Sequence, residues 1–237
     1  NGNPVLMGKN KDLIFTVRNK RPLSRFKDAN KRRFAEDHIK HFNFLTRVNG
    51  FMIPVVGGEK TGGRVYDSFT FTPSWIRKTI TIKNKRLIEI DVSCFHPNLA
   101  SGIYNGSGKV LSHDEIANYL KISRDKAKLE HLSFFNTTIK QMKESVLYKY
   151  YAENEPVMLA NILEDKRKNG YKSTSVKMVS LEVKIFTDLI KTINKEKIYG
   201  LYCFDAISVE PKHEKRTAEV LKQVLEKYKI NAEFKNK

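Results

Sequence analysis

Two aspartates stand where carboxylates could hold divalent metal ions. Asp91 closes the apolar run Leu87-Ile-Glu-Ile-Asp-Val-Ser, and Asp205 follows Leu201-Tyr-Cys-Phe at the tip of a tight hairpin. Neither strand needs a carboxylate there for solubility. Side by side, the two would hold two Mg²⁺ or Mn²⁺ ions about 4 Å apart, the arrangement that stabilises attacking and leaving oxygens in an in-line phosphoryl displacement. Mg²⁺ suits such a site because it takes few carboxylates and fills its other positions with phosphate and water. The backbone carbonyl of Val92 could add a ligand. Taken alone, an aspartate at a hairpin tip more often serves turn geometry than catalysis.

The elements that must position these residues follow from pattern. Residues 79–82 and 87–92 read as a strand pair, residues 198–204 and 207–210 as the hairpin carrying Asp205, and residues 230–234 as a last strand. Residues 51–56 read as an earlier strand. Helices are predicted over 30–48, from Pro97 to about 104, and from a Ser112 cap to about 120. Further helices are predicted from a Ser123 cap towards 142, and over 155–168, 174–195 and 212–228. Strands mixed with segregated helices give an α+β chain rather than a doubly wound parallel sheet.

Composition narrows the partner. Lys and Arg number 44 against 26 Asp and Glu, a net charge of +18. So large an excess calls for a polyanion, and nucleic acid leads because its phosphates exchange condensed counterions for such side chains. A membrane is not expected as a partner, because no apolar run approaches the roughly 18 residues of a spanning helix. The two cysteines, Cys94 and Cys203, form no C-x-x-C, which argues against a disulfide framework or a zinc site. They suit a reducing compartment such as the cytoplasm. No signal peptide is read at Asn1, which leaves processing or excision from a longer chain open.

With these residues in view, the motifs resemble family A DNA polymerases and phage-type single-subunit RNA polymerases. Asp91-Val-Ser-Cys-Phe-His-Pro-Asn-Leu-Ala resembles motif A, and Phe204-Asp205-Ala-Ile-Ser-Val-Glu-Pro resembles motif C. Thr61-Gly-Gly-Arg64 resembles the segment that contacts the primer–template duplex. Arg124-x-x-x-Lys128 resembles the fingers helix whose basic pair binds the incoming triphosphate. Glu182 lies in a stretch similar to the helix on the template side of the palm. The order Arg64, Asp91, Arg124 and Lys128, Glu182, Asp205 is the family order.

The resemblance implies a right-hand polymerase-like fold: an antiparallel palm at 61–110 and 174–237, reduced helical fingers at 111–173, and little or no thumb. Residues 1–60 would be a basic segment with a possible thumb-remnant helix. It implies templated nucleotidyl transfer, with DNA product ahead of RNA or primase activity, in replication of a phage or mobile element. DNA or RNA primer–template, nucleoside triphosphates and further replication proteins would be the partners, and two Mg²⁺ or Mn²⁺ ions the cofactors.

Departures from the family pattern leave roles open. Phe204 stands for the usual histidine and Ala206 for a second acid. His96 occupies a place that is Glu in DNA polymerases and small in RNA polymerases, and would pack on the sugar or simply flank Pro97. Phe135 would stack on a base, or with Phe134 belong to the core. Two rivals remain: a metal-dependent nuclease using Asp91, Asp205, Glu210 and Lys212, and a non-catalytic nucleic-acid binding module.

Overall fold

The computed structural model describes residues 54–82 and 84–236. The predicted helix at 30–48 and the first part of the strand predicted at 51–56 lie outside them. The chain divides into two compact units, one including Val65–Ile80 and the other formed by Val56–Arg64 with Thr81–Lys237.

β1 (Val55–Val56) precedes a 3₁₀ turn at Glu59–Thr61. In the first unit, β2 (Val65–Tyr66) leads into two one-turn helices, α1 (Ser68–Phe71) and α2 (Ser74–Arg77). Asp67 caps α1 by accepting from the Thr70 amide, while Thr70 accepts from the Asp67 amide, so two orphan donors of the first turn are satisfied.

The second unit holds the rest. β3 (Thr81–Ile82) and β4 (Lys85–Arg86) make a small antiparallel hairpin. This corrects the expected pairing of 79–82 with 87–92. The next strand, β5 (Ile88–Val92), joins a different sheet, because Ile90 and Val92 on one face are buried and find cover only there. Helices follow in order: α3 (Phe95–Ile103), α4 (His113–Leu120), α5 (Arg124–Phe134), α6 (Ile139–Glu144), α7 (Val146–Asn154), α8 (Pro156–Asn169) and α9 (Ser173–Lys195). The chain closes with β6 (Gly200–Cys203), β7 (Ala206–Val209), α10 (Glu214–Lys227) and β8 (Phe234–Asn236). The sheet is antiparallel throughout, in the order β6-β7-β5-β8.

Local chemistry sets the helix ends. Ser112 and Ser123 accept from the amides of Glu115 and Lys126, as their caps predict. The helix expected from Ser123 to 142 is two helices instead, because Thr138 with Gln141 forms a fresh capping box and starts α6. α3 begins at Phe95 rather than Pro97, and Pro97 sits in the first turn, where no amide is required. The last strand lies at Phe234–Asn236, later than the expected 230–234, since Ile230 is buried in the core ahead of it. α9 packs against α3, α10 and β6, with Met178, Ile185, Phe186, Leu189 and Ile193 buried at helical spacing.

Candidate active site at the sheet end

Register brings the two aspartates together. Asp91 lies opposite Ala206, and the Val92 amide donates to the Asp205 carbonyl at 3.0 Å. The two residues therefore end neighbouring central strands. Cys203 pairs with Ala206, leaving Phe204-Asp205 as a two-residue hairpin loop. Phe204 adopts a left-handed φ of 59°, and Cys94, three residues past Asp91, one of 50°. Bulky or branched L-residues rarely accept this region, and such strain collects at functional sites. The turn that Phe204 makes places its ring beneath the Arg64 guanidinium, whose carbon lies 4.7 Å from the ring centroid.

Asp205 is open to solvent, yet protein atoms crowd it and strip part of its hydration. That desolvation, with repulsion from Asp91 and Glu182, pushes its carboxyl up to about 6, against the pull of His96. Asp91 is half-buried. No group of three or more His, Cys, Asp or Glu side chains able to hold a metal occurs among the described residues. Two mutually repelling carboxylates on an accessible edge nevertheless fit a hard cation that draws its remaining ligands from water and phosphate. Val92 is buried at the same strand end, with its amide spent on Asp205.

Behind the aspartates lies an ion cluster. Glu182 is fully buried on α9. Arg64 grips it in bidentate fashion, Nε to Oε1 at 2.8 Å and Nη2 to Oε2 at 2.7 Å. His96 Nε2 lies 3.0 Å from the same Oε2 and 3.4 Å from Arg64 Nη2. Burial would raise Glu182, but the bonds from His96 and Arg64 prevail and hold its carboxyl below the usual range. Burial likewise opposes the Arg64 charge, and the bonds to Glu182 outweigh it. Glu182, expected to contact nucleic acid, is instead a sealed anchor that orients Arg64 and His96. Gly62 allows the anchor to form: at φ 62°, a Cβ there would meet the Ser180 amide nitrogen at 2.8 Å, so only glycine lets the Arg64 loop approach α9 so closely.

The basic pair sits to one side. Arg124 and Lys128 open α5, and both lie within electrostatic reach of the Cys94 thiol. Burial pushes that thiol up to about 12, and the two cations counter it in part. Arg124 Nε also pairs with Asp114 at 3.1 Å across exposed surface. Phe135 departs from its expected role. It is buried beside Phe134, Tyr151 and His131, so it packs the core and presents no face to a base. The nuclease constellation also fails. Val209 pairs with Ile88 at the far end of β5, so Glu210 lies on the order of 16 Å along the strand from Asp205 at ~3.3 Å per residue. Glu210 is occupied at that far end with Lys212, 3.6 Å away.

Tyr202 was not foreseen. Its ring packs on Phe186 and Phe204, and its Oη is buried without a hydrogen-bond partner among the described residues. Burial and the Glu182 carboxylate raise its pKa. The two-residue spacing of the aromatics Tyr202 and Phe204, in a stretch that reads as a strand over 198–204, was the available signal.

No protein family model matches the chain, and no curated protein matches it in sequence. The fold does have a solved counterpart. It is similar to the POL domain of Pol1 from M. smegmatis, described in complex with DNA primer-template and dNTP, at a TM-score of 0.61 and 9% identity. The match covers 88% of this chain and 51% of that one, so the chain spans about half the length of that polymerase domain. At this identity the likeness is one of fold: a mixed helix-and-sheet, polymerase-like architecture. No helix among the described residues is long and apolar enough to cross a membrane.

Proposed function

We propose that the chain is a nucleic-acid polymerase that performs template-directed nucleotidyl transfer at the end of its antiparallel sheet. The reading is carried by the adjacency of Asp91 and Asp205 on central strands, on a fold similar to that of a DNA polymerase domain. In this reading the sheet with α3, α9 and α10 is the palm, and α4 to α8 are compact fingers. Asp91 and Asp205 hold divalent metal, which when bound stabilises attacking and leaving oxygens on the transferred phosphoryl group.

The chain's own residues supply the rest. Burial, with repulsion from Asp91 and Glu182, disfavours the Asp205 charge, and a bound cation would offset that cost. Lys128 and Arg124 neutralise the triphosphate as charge gathers on pyrophosphate, and Lys128 is a compact charge able to follow its oxygens. Arg124 must then exchange Asp114 for phosphate, an exposed pair of little strength. The Glu182 anchor fixes the Arg64 guanidinium and the His96 ring beside Asp205, at the primer end and sugar of the reaction.

The test is extension of a primed template with Mg²⁺ or Mn²⁺ and either deoxy- or ribonucleotides, with Asp91→Ala and Asp205→Ala alongside. Extension that both substitutions abolish is the expected result, and the accepted nucleotide assigns the sugar. Tight binding without extension under every condition would sink the reading in favour of a binding module.

A further inference from the structure

We propose that the outer face of α9, remote from the carboxylates, is a track for the phosphate backbone of nucleic acid. α9 is the longest helix of the described chain at 23 residues, about 34 Å at 1.5 Å per residue. It carries Lys177, Lys184, Lys191 and Lys195, and only two acids. Both acids are committed elsewhere: Glu182 to Arg64 and His96, and Asp188 to Lys227 at 2.6 Å and Tyr228 at 3.0 Å. Lys177, Lys184 and Lys191 recur every seven residues. That spacing drifts only ~20° per step around a helix and advances about 10.5 Å, near three nucleotide steps of a duplex strand. All three are exposed, with Ser180 and exposed Thr187 between them.

The other exposed helices are built differently. On α10, Arg216 binds Glu196 and Glu219, and Glu214, Glu219 and Glu226 intersperse the basic residues. On α8, Lys168 pairs with Glu164. Lys177 pairs with Asp165 at 2.7 Å and Lys191 lies within electrostatic reach of Asp188, whose carboxylate is bonded to Lys227, so the lysines of this face outnumber the acids beside them and a polyanion would relieve the excess charge. Exposed aromatics flank the track. Tyr171 (46% exposed) precedes α9 with the Lys172 ammonium 5.6 Å from its ring centroid, and Tyr199 (62% exposed) follows beyond Lys195 and Lys197. Lys166 holds the first end rigid: its buried ammonium donates to the carbonyls of Phe135, Thr137 and Tyr171. Lysines on a helix face with tyrosines at its ends match the electrostatic groove and stacking platforms of strand-binding proteins.

The test is binding of a labelled 30-nucleotide single strand and its duplex from 50 to 200 mM KCl, without triphosphate or divalent metal. It reads the track whether or not the protein extends primers. Lys184→Gln with Lys191→Gln should flatten the salt slope by about 1.8 on duplex or about 1.4 on single strand, so that the wild type loses roughly tenfold more affinity over that range. Lys215→Gln with Lys222→Gln on α10 should leave the slope unchanged, and both pairs should melt as the wild type does. An unchanged slope for the α9 pair, or an equal change for both pairs, overturns the proposal. Loss of binding to phosphatidylserine vesicles with nucleic-acid binding intact also overturns it, and assigns the face to a membrane.

Discussion

At the sheet end, Asp205 is open to solvent beside half-buried Asp91, its carboxyl pushed up to about 6, next to a turn that forces Phe204 left-handed. Among α5, α7 and α8 the polar groups are sealed. His131 donates from Nδ1 to the Ala127 carbonyl at 2.7 Å and accepts at Nε2 from the Tyr151 hydroxyl at 2.8 Å. The buried Lys166 ammonium meets three carbonyls. Both regions place ionisable groups in crowded surroundings. In the helical region each group is neutral or capped, so the cluster specifies how the helices pack. At the sheet end two like charges face each other and a shared carboxylate anchor stands behind them. Like charge is gathered there at an accessible edge, and burial with that repulsion raises the Asp205 carboxyl.

The sharpest way to break this contrast is to remove a sheet-end carboxylate. Asp91→Ala or Asp205→Ala should cut extension by at least ~10³-fold, the factor equivalent to losing about 4 kcal/mol of transition-state stabilisation, without lowering the melting temperature. A variant that unfolds instead would place these carboxylates with the structural groups.

Next in size is the anchor. Glu182→Ala leaves the Arg64 charge unpaired in its largely buried seat and should lower stability by about 3 kcal/mol in urea titrations. A loss no larger than that of an exposed pair would show Glu182 to be dispensable.

The helical cluster should announce itself in acid. Burial, with the neighbouring His113, lowers His131 to about 3, so its contribution is complete above about pH 6.5 and is lost as pH falls towards 3. By pH 5 the wild type should have lost about 2 kcal/mol from this source. His131→Gln should show a shallower decline between pH 6.5 and 5, and parallel curves would contradict the assignment.

The smallest effect has the opposite sign. Because the folded Asp205 pKa lies above its ordinary value, its ionisation costs stability as pH rises from about 4 to 6, and that cost persists at pH 7. Asp205→Asn should therefore stabilise the inactive protein at pH 7 by ~1 kcal/mol, a modest figure because the exposed carboxylate is screened by water. No gain in melting temperature would remove the evidence for repulsion between the aspartates.

Sequence and structure divide the explanation by the range of the interactions. Caps at Ser112 and Ser123, the hydrophobic rhythm of 174–195 and the hairpin around Asp205 were legible because each depends on residues within a turn or two. The partner of β5 was not, since its alternation says which face is buried but not which strand covers it. Phe135 reads equally as a stacking platform or a core ring, and only the cluster around Tyr151 decides for the core. Glu182 has the pattern of a helix-face residue, and its burial depends on Arg64, 118 residues away in sequence.

By itself, then, the sequence determined the charge, the helix boundaries set by caps, and the two aspartates at strand ends. Local propensity and composition suffice for those. The tertiary structure alone decided that Asp91 and Asp205 are neighbours, that Glu182 anchors rather than contacts, and that Glu210 is too far away to join them. Those facts rest on strand register and long-range packing, which no short window of residues encodes.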